Sequence, residues 1–422
     1  MKKNTSSIIA GLDVGTTKVC AIVGEVTDKG VSILAVNSQP STGLKKGVVI
    51  DIEATANSIK KAVAGVEEQT GIAISEVYVG ISGNHIKSFD SYGTVGVKGK
   101  EVTREDVERA IDSASAVYVP LDREVLHVLP TDFILDGQDG IKDPVGMAGV
   151  RLEVKVFIVT GAVTSVQNLL KCCERAGLEV VDIVLQPLAS AEATLTPYER
   201  DMGIVLIDIG GGTTDIALYK DEWLRHTAVM GIGGNHFTND LSVGLRLPFD
   251  EAERVKKQYG SVLPSEMSDM SEVDVVAIDG QVRGIPRKYV SEILQPRSEE
   301  LLQLIRQELQ AIQGGGFTAS GVVLTGGSSL LAGFDRMAEA ILSLPVRVGY
   351  PELAPDGLSG SAAPGTHRAH KLNGDRGNPM YATGVGLVLY GAEAVLPAEK
   401  AFFSPDVFGR MKEWFKKIVG NK

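Results

Sequence analysis

Cysteine is scarce: Cys20, Cys172 and Cys173 are the three in 422 residues, and two of them are adjacent. Neither a disulfide framework nor a metal-ligand spacing can be built from them. The six histidines are scattered, with no HExxH-type pair to suggest a hydrolytic metal centre. Basic charge is in deficit, 42 Lys and Arg against 53 Asp and Glu, and the net charge of −11 disfavours nucleic acid as the main partner. Long hydrophobic runs are missing as well. "YATGVGLVLYGAEAVL" comes nearest to a membrane span, but it is short and studded with glycine, and reads as a buried helix. In "MKKNTSSIIAGLDVG", Asp13 interrupts the apolar stretch before a signal core could form, so a cytosolic protein is expected. The remaining composition, 44% hydrophobic and 23% charged, is that of a globular protein with roughly two to four domains.

Glycine is what the chain does have, and its placement is patterned. In "LIDIGGGTTDIALYK" (206–220) three glycines separate two apolar, β-branched runs that read as buried strands. A tight hairpin needs fewer glycines than this; the surplus suits a loop that something must approach closely. "IIAGLDVGTTKVCAIVGEV" (8–26) has the same plan of strand, Asp-x-Gly, Thr-Thr and strand. With the Thr-Thr pairs aligned, the later copy carries two extra glycines. Two such units this far apart imply two related halves, each opening with the same hairpin. A third glycine turn, in "GVVLTGGSSLLAGF" (321–334), leads from a strand through Gly326, Gly327 and Ser328 into a helical pattern, an oriented helix start that suits an anion or ribose-phosphate.

Taken together, the three turns suit a polyphosphate clamp. The backbone amides of Gly15 and of Gly210, Gly211 and Gly212 would be unobstructed donors. The hydroxyls of Thr16, Thr17, Thr213 and Thr214 can donate to phosphate oxygens, and Lys18 can supply a point charge. Asp13 and Asp208 are the candidates for Mg²⁺, held through water because magnesium dehydrates reluctantly.

This order of loops resembles the actin-like ATPase superfamily, with its first phosphate, second phosphate and adenosine loops. The resemblance implies a duplicated α/β fold of two lobes around a nucleotide cleft, with ATP and Mg²⁺ as cofactors. "QPLASAEATL" (186–195) and "YATGVGLVLYG" (381–391) match its two connecting helices. Gln186 then stands where relatives position the attacking water, often with an acid. An amide orients water but is a poor base, so at most slow ATP hydrolysis is expected. The resemblance also places Gly233 and Gly234, in "GIGGNHFTNDL", near the nucleotide. It nominates Glu253 and Lys256, in "EAERVKKQYG", for ribose and adenine, although a solvated helix face with i,i+3 pairing explains that pair equally well.

Within the superfamily the chain is similar to the FtsA family of bacterial cell-division proteins over nearly its whole length. Residues 84–161 read as an α+β insert with two strands, a helix capped at Thr103 with Asp106 three residues on, and three further strands. Its "SGNHI" and "DPVGMAGVRLEV" segments resemble the IC subdomain of that family. The implied layout is subdomain IA over 1–83 and 162–200, IC over 84–161, IIA over 201–235 and 313–391, and IIB over 236–312. A Gly- and Pro-rich stretch at 354–379 reads as a surface loop. A linker at 392–405 leads to an amphipathic helix at 406–420. There Val407, Phe408, Met411, Trp414, Phe415, Ile418 and Val419 share an arc of about 140° at ~100° per residue, with Arg410, Lys412, Lys416 and Lys417 outside or bordering it. A helix docked on the protein's own core is the competing reading of that face.

The family resemblance implies ATP binding, actin-like polymerisation and attachment of the FtsZ ring to the inner membrane at the septum, with further division proteins as partners. The FtsZ C-terminal peptide would dock on IIB, where "GIPRKYVSEILQPRSEEL" offers Arg287, Lys288 and Arg297. A small-molecule kinase, a pilus-assembly relative and a chaperone share the loops. No stretch outside them supplies a convincing catalytic aspartate for a kinase, and the residues after Gly391 are too few for a chaperone's peptide-binding domain.

Overall fold

The structure, a computed structural model, describes residues 7–27, 30–268, 271–313, 318–351 and 377–395. The helix expected at 406–420 lies outside the described residues, as do most of the linker before it and most of the loop expected at 354–379.

Strands β1 (Ser7–Val14), β2 (Lys18–Thr27) and β3 (Gly30–Pro40) form an antiparallel meander. A small hairpin, β4 (Leu44–Lys45) and β5 (Val48–Val49), leads into α1 (Ile52–Thr70). Asp51 caps α1 by accepting from the Ala54 amide, and Gly71 ends it in the left-handed conformation. Its apolar side, with Ile59, Ala62 and Val66, packs beneath the meander. β6 (Glu76–Ile81) then pairs parallel to β1.

The chain next leaves the lobe for the insert: β7 (Lys87–Gly96), α2 (Arg104–Ser115), β8 (Arg123–Leu135), β9 (Gln138–Ile141) and β10 (Arg151–Ala162). Its sheet runs β7-β10-β8-β9, with α2 closing a small core of its own. Thr103 and Asp106 form a reciprocal capping box at the start of α2. One strand precedes this helix, not two: β7 alone runs between residue 84 and α2, while the preceding β6 belongs to the main sheet. Back in the lobe, α3 (Val163–Arg175) leads to β11 (Glu179–Leu185), which completes the sheet β11-β6-β1-β2-β3. Then follow α4 (Gln186–Thr194) and α5 (Pro197–Met202).

The second lobe repeats the plan. β12 (Ile204–Ile209), β13 (Thr214–Lys220) and β14 (Trp223–Met230) are its meander. After it come α6 (Gly234–Leu245), α7 (Phe249–Tyr259), the ribbon β15 (Glu272–Val276) with β16 (Val282–Pro286), and the long α8 (Arg287–Gln313). β17 (Gly321–Thr325), α9 (Phe334–Leu342), β18 (Val346–Val348) and α10 (Ala382–Glu393) close the lobe. The sheet order β14-β13-β12-β17-β18 is that of the first lobe element for element, so the duplication read from two glycine hairpins extends through both sheets.

Helices α4 and α10 occupy equivalent places and cross between the lobes. Their apolar surfaces join the cores facing each sheet, through Val385, Leu387 and Val388 of α10 on one side and Ala191 of α4, flanked by Leu185 and Leu195 at its two ends, on the other. The crossing has no room for a side chain at Gly386, where a Cβ would stand 1.7 Å from the Ala189 carbonyl oxygen. Helix propensity favours Gly386→Ala by about 1 kcal/mol, but overpacking against backbone costs about 3 kcal/mol or more. The overlap should win, and chemical denaturation should show a clearly destabilised variant. An unchanged or raised midpoint would refute this crossing geometry.

Candidate nucleotide cleft

The two glycine hairpins meet across the cleft between the lobes. Their geometry is the same: Gly15 N–H donates to the Lys18 carbonyl at 2.9 Å, and Gly210 N–H to the Thr213 carbonyl at 3.0 Å. Pairing registers agree too, with Val14 opposite Val19 and Ile209 opposite Thr214. The loops are therefore equal in length, and the two extra glycines inferred from the sequence are not an insertion. Asp13 matches Asp208, Thr16 and Thr17 match Gly211 and Gly212, and the Thr-Thr pairs are not equivalent. Aligning like residues misled here, because the loop's geometry and not its threonines is what the halves share.

A Cβ on Gly211 would lie 2.3 Å from the Thr17 side chain, and one on Gly212 would lie 2.4 Å from that of Thr16. The first loop position on each side thus faces the second on the other, the reciprocity of a two-fold relation. These glycines are needed for the close approach of the opposing hairpin, as well as leaving amides bare. The third turn joins from the second lobe. Gly326, at φ +81°, lies against Asp208, where a Cβ would be 2.3 Å from its Oδ1. Ser328 Oγ donates to the Gly210 carbonyl at 3.4 Å. A Cβ on Gly327 meets nothing nearer than Met380 at 3.7 Å.

Carboxylates root both hairpins. Asp13 Oδ2 pairs with Lys18 Nζ at 2.6 Å, and its Oδ1 accepts from Gln186 Nε2 at 3.2 Å. Burial would lower the Lys18 pKa, but Asp13 outweighs it and holds the ammonium above its ordinary value. Asp208 Oδ2 accepts from Ser190 Oγ at 2.7 Å and Thr383 Oγ1 at 3.2 Å, one donor from each connecting helix. Burial raises the Asp208 pKa, the Ser190 bond opposes this, and Asp13 adds to it. Two oxygen donors on facing hairpins suit a hard cation such as Mg²⁺ and the polyphosphate it accompanies. Among the described residues no group of three or more His, Cys, Asp or Glu could hold a metal ion.

Asp215 was missed from the sequence. It stands opposite Asp208 on β13, fully in the interior, with Thr213 Oγ1 donating at 3.2 Å and Ser82 Oγ donating from the other lobe. Burial pushes its pKa up to about 7, with Asp208 contributing. The sequence signal was available: an acid inside the apolar run "TTDIALY" needs partners when buried. Ser190 and Thr383 carried no comparable signal, since small polar residues are ordinary in helices.

Glu253 and Lys256 form the i,i+3 pair expected of a solvated face, at 2.6 Å, yet they are largely buried. Lys256 Nζ also donates to the Gly234 carbonyl at 3.0 Å and to Thr238 Oγ1 at 2.8 Å, which fastens α7 to the start of α6. Gly233 and Gly234 lie against Gly210 and Ser328, so these glycines and Lys256 border the second and third turns. Arg287, Lys288 and Arg297 belong to α8, outside the hairpins. Arg297 is not a free cation there: its Nε donates to Asp240 Oδ2 at 2.7 Å, and it also pairs with Glu300. No helix among the described residues is long and apolar enough to cross a membrane.

Solved structures share this architecture at low identity. The "PilM-PilN type IV pilus biogenesis complex" aligns with TM-score 0.63 at 18% identity, covering 91% of this chain and 98% of that one. MreB5 of Spiroplasma citri bound to ADP aligns with TM-score 0.50 at 17% identity, covering 83% and 93%. These likenesses support the actin-like fold. Sequence comparison goes further. Residues 205–386 match the family "Cell division protein FtsA", and residues 83–160 match "SHS2 domain inserted in FTSA". Cell division protein FtsA of Pseudomonas aeruginosa is 42% identical, with 99% of each chain covered. That of Bacillus subtilis is 39% identical, covering 92% of this chain and 84% of the relative. That of Escherichia coli (strain K12) is 36% identical, covering 99% and 98%. With relatives this similar over nearly its full length, on a duplicated actin-like fold with its insert between β6 and α3, the chain belongs to the FtsA family of cell-division proteins.

Proposed function

We propose that the protein binds ATP with Mg²⁺ in this cleft, polymerises like actin, and tethers the FtsZ ring to the cytoplasmic membrane at the division septum, where further division proteins join. The reciprocal contact of the two hairpins carries the nucleotide reading. Thr16 and Thr17 face Gly212 and Gly211 across the gap, with Asp13 and Asp208 at the roots. Bare amides and hydroxyls would cradle the phosphates, and Lys18 would add positive charge. Bound Mg²⁺ would supply charge neutralisation for the phosphate oxygens. Gln186, already directed at Asp13, would orient water without taking its proton, which favours slow hydrolysis and a long-lived ATP state.

Attachment rests on two further elements. The expected helix at 406–420 would lie in the bilayer surface through Phe408, Met411, Trp414, Phe415 and Ile418. The acidic C-terminal peptide of FtsZ would dock beside α8, exchanging with Asp240 and Glu300 for Arg297. Arg297→Glu would leave three acids together there, and should weaken peptide binding tenfold or more, about 1.4 kcal/mol. Unchanged affinity in a peptide titration would remove Arg297 from the contact. The whole reading is tested by sedimentation on anionic vesicles with ATP. The protein should pellet with lipid and carry FtsZ with it; a protein that stays in the supernatant, or pellets without FtsZ, would defeat the adaptor role.

A further inference from the structure

His127 is a buried histidine that the nucleotide reading leaves unused. It lies on β8 of the insert, opposite Val159 of β10, and is 1% exposed. Its Nε2 accepts the Leu185 amide hydrogen at 2.9 Å, while Nδ1 is buried and has no partner. Burial pulls its pKa down to about 4, so the ring is neutral near pH 7. A neutral imidazole accepting at Nε2 carries its proton on Nδ1, and that N–H is the one left unsatisfied. Leucine or phenylalanine would fill the space without this cost. What only the imidazole adds is the acceptor for Leu185.

That amide is placed where it matters to the cleft. Leu185 ends β11 and stands just before α4, at a helix start with no side-chain cap of its own. The next residue is Gln186, whose amide reaches Asp13. Gln186 is seated tightly on its other side as well, since a Cβ on Gly80 would lie 3.1 Å from its Cγ. Two buried hydrogen bonds thus run from the region of the insert to the hairpin roots. Ser82, just before the insert, reaches Asp215 beside the second hairpin. His127 reaches the first hairpin through Leu185 and Gln186.

We propose that His127 is a positioning residue for Gln186, so that the seating of the insert on the first lobe sets the side chain that faces the cleft. The consequence for hydrolysis rests on the proposed role of Gln186; the positioning itself does not. Gln in place of His can present Oε1 where Nε2 stood, whereas Leu cannot accept. In the nucleotide-free protein, His127→Leu should speed hydrogen exchange of the Leu185 and Gln186 amides about tenfold or more, the loss of one ordinary hydrogen bond. His127→Gln should restore most of that protection. With saturating ATP, His127→Leu should lower single-turnover hydrolysis by roughly tenfold while ATP affinity stays within about twofold, and His127→Gln should recover the rate. Exchange unchanged in His127→Leu, or equally fast in both variants, would overturn the proposal. If His127→Leu does not fold, His127→Phe, which keeps a ring, provides the same contrast with His127→Gln. Failure of the parent protein to bind ATP would defeat the proposed function and leave the exchange result to stand or fall alone.

Discussion

Gly327→Asp is expected to abolish ATP binding while leaving the protein folded. The second half of that statement makes the first informative. A Cβ at Gly327 has only Met380 near it, at 3.7 Å, so the variant's own structure can take the side chain. The carboxylate would project beside Ser328, into the space assigned to ribose and phosphate. Two like charges about 4 Å apart at an effective dielectric of about 20 repel by about 4 kcal/mol, a loss of roughly a thousandfold in affinity. Gly212→Asp should lose binding as well, but its Cβ would collide with Thr16 at 2.4 Å, so hairpin displacement would contribute. Nucleotide titration together with a thermal melt separates the two causes. Parental affinity in Gly327→Asp, with the melt unchanged, would mean that the third turn does not face the nucleotide.

Trp414→Glu combined with Phe415→Glu is expected to release the protein from anionic vesicles while ATP binding persists. Burying large apolar side chains contributes about 1.5–3 kcal/mol each at full burial, and less at an interface. Each basic residue near anionic lipid adds roughly 1 kcal/mol. Ordering the helix costs on the order of 1–2 kcal/mol per residue and offsets most of that gain. One tail should therefore bind weakly and reversibly, and a polymer displaying many tails should bind through avidity. Monomers should accordingly sediment less than polymers at equal tail concentration. A double variant that still pellets with lipid, or whose body unfolds, would assign the helix to the protein's own core.

Much of the cleft was legible in local sequence, because its parts are short and their chemistry is explicit. Asp13 and Asp208 follow apolar strands and precede glycine, and the structure puts both at hairpin roots. The Thr103 and Asp106 spacing located the start of α2, since a capping box is a contact between residues three apart. Where like residues were matched by type, the reading slipped: the Thr-Thr pairs of the two hairpins look homologous and occupy different loop positions. Register is fixed by cross-strand hydrogen bonds, and those follow backbone geometry whichever side chains decorate the turn.

By itself the sequence determined two glycine hairpins, a capped helix in an inserted α+β unit, and a helix-forming segment as glycine-rich as "YATGVGLVLYG", because each depends on backbone freedom or periodicity within a few residues. Only the tertiary structure decided that Thr17 faces Gly211 and Thr16 faces Gly212, that Ser190 and Thr383 converge on Asp208, and that Ser82 reaches Asp215. It also decided that His127 of the insert stands behind Gln186. Those contacts join residues far apart in the chain, and they form when the packing of two lobes across α4 and α10 removes water from polar groups that must then satisfy one another.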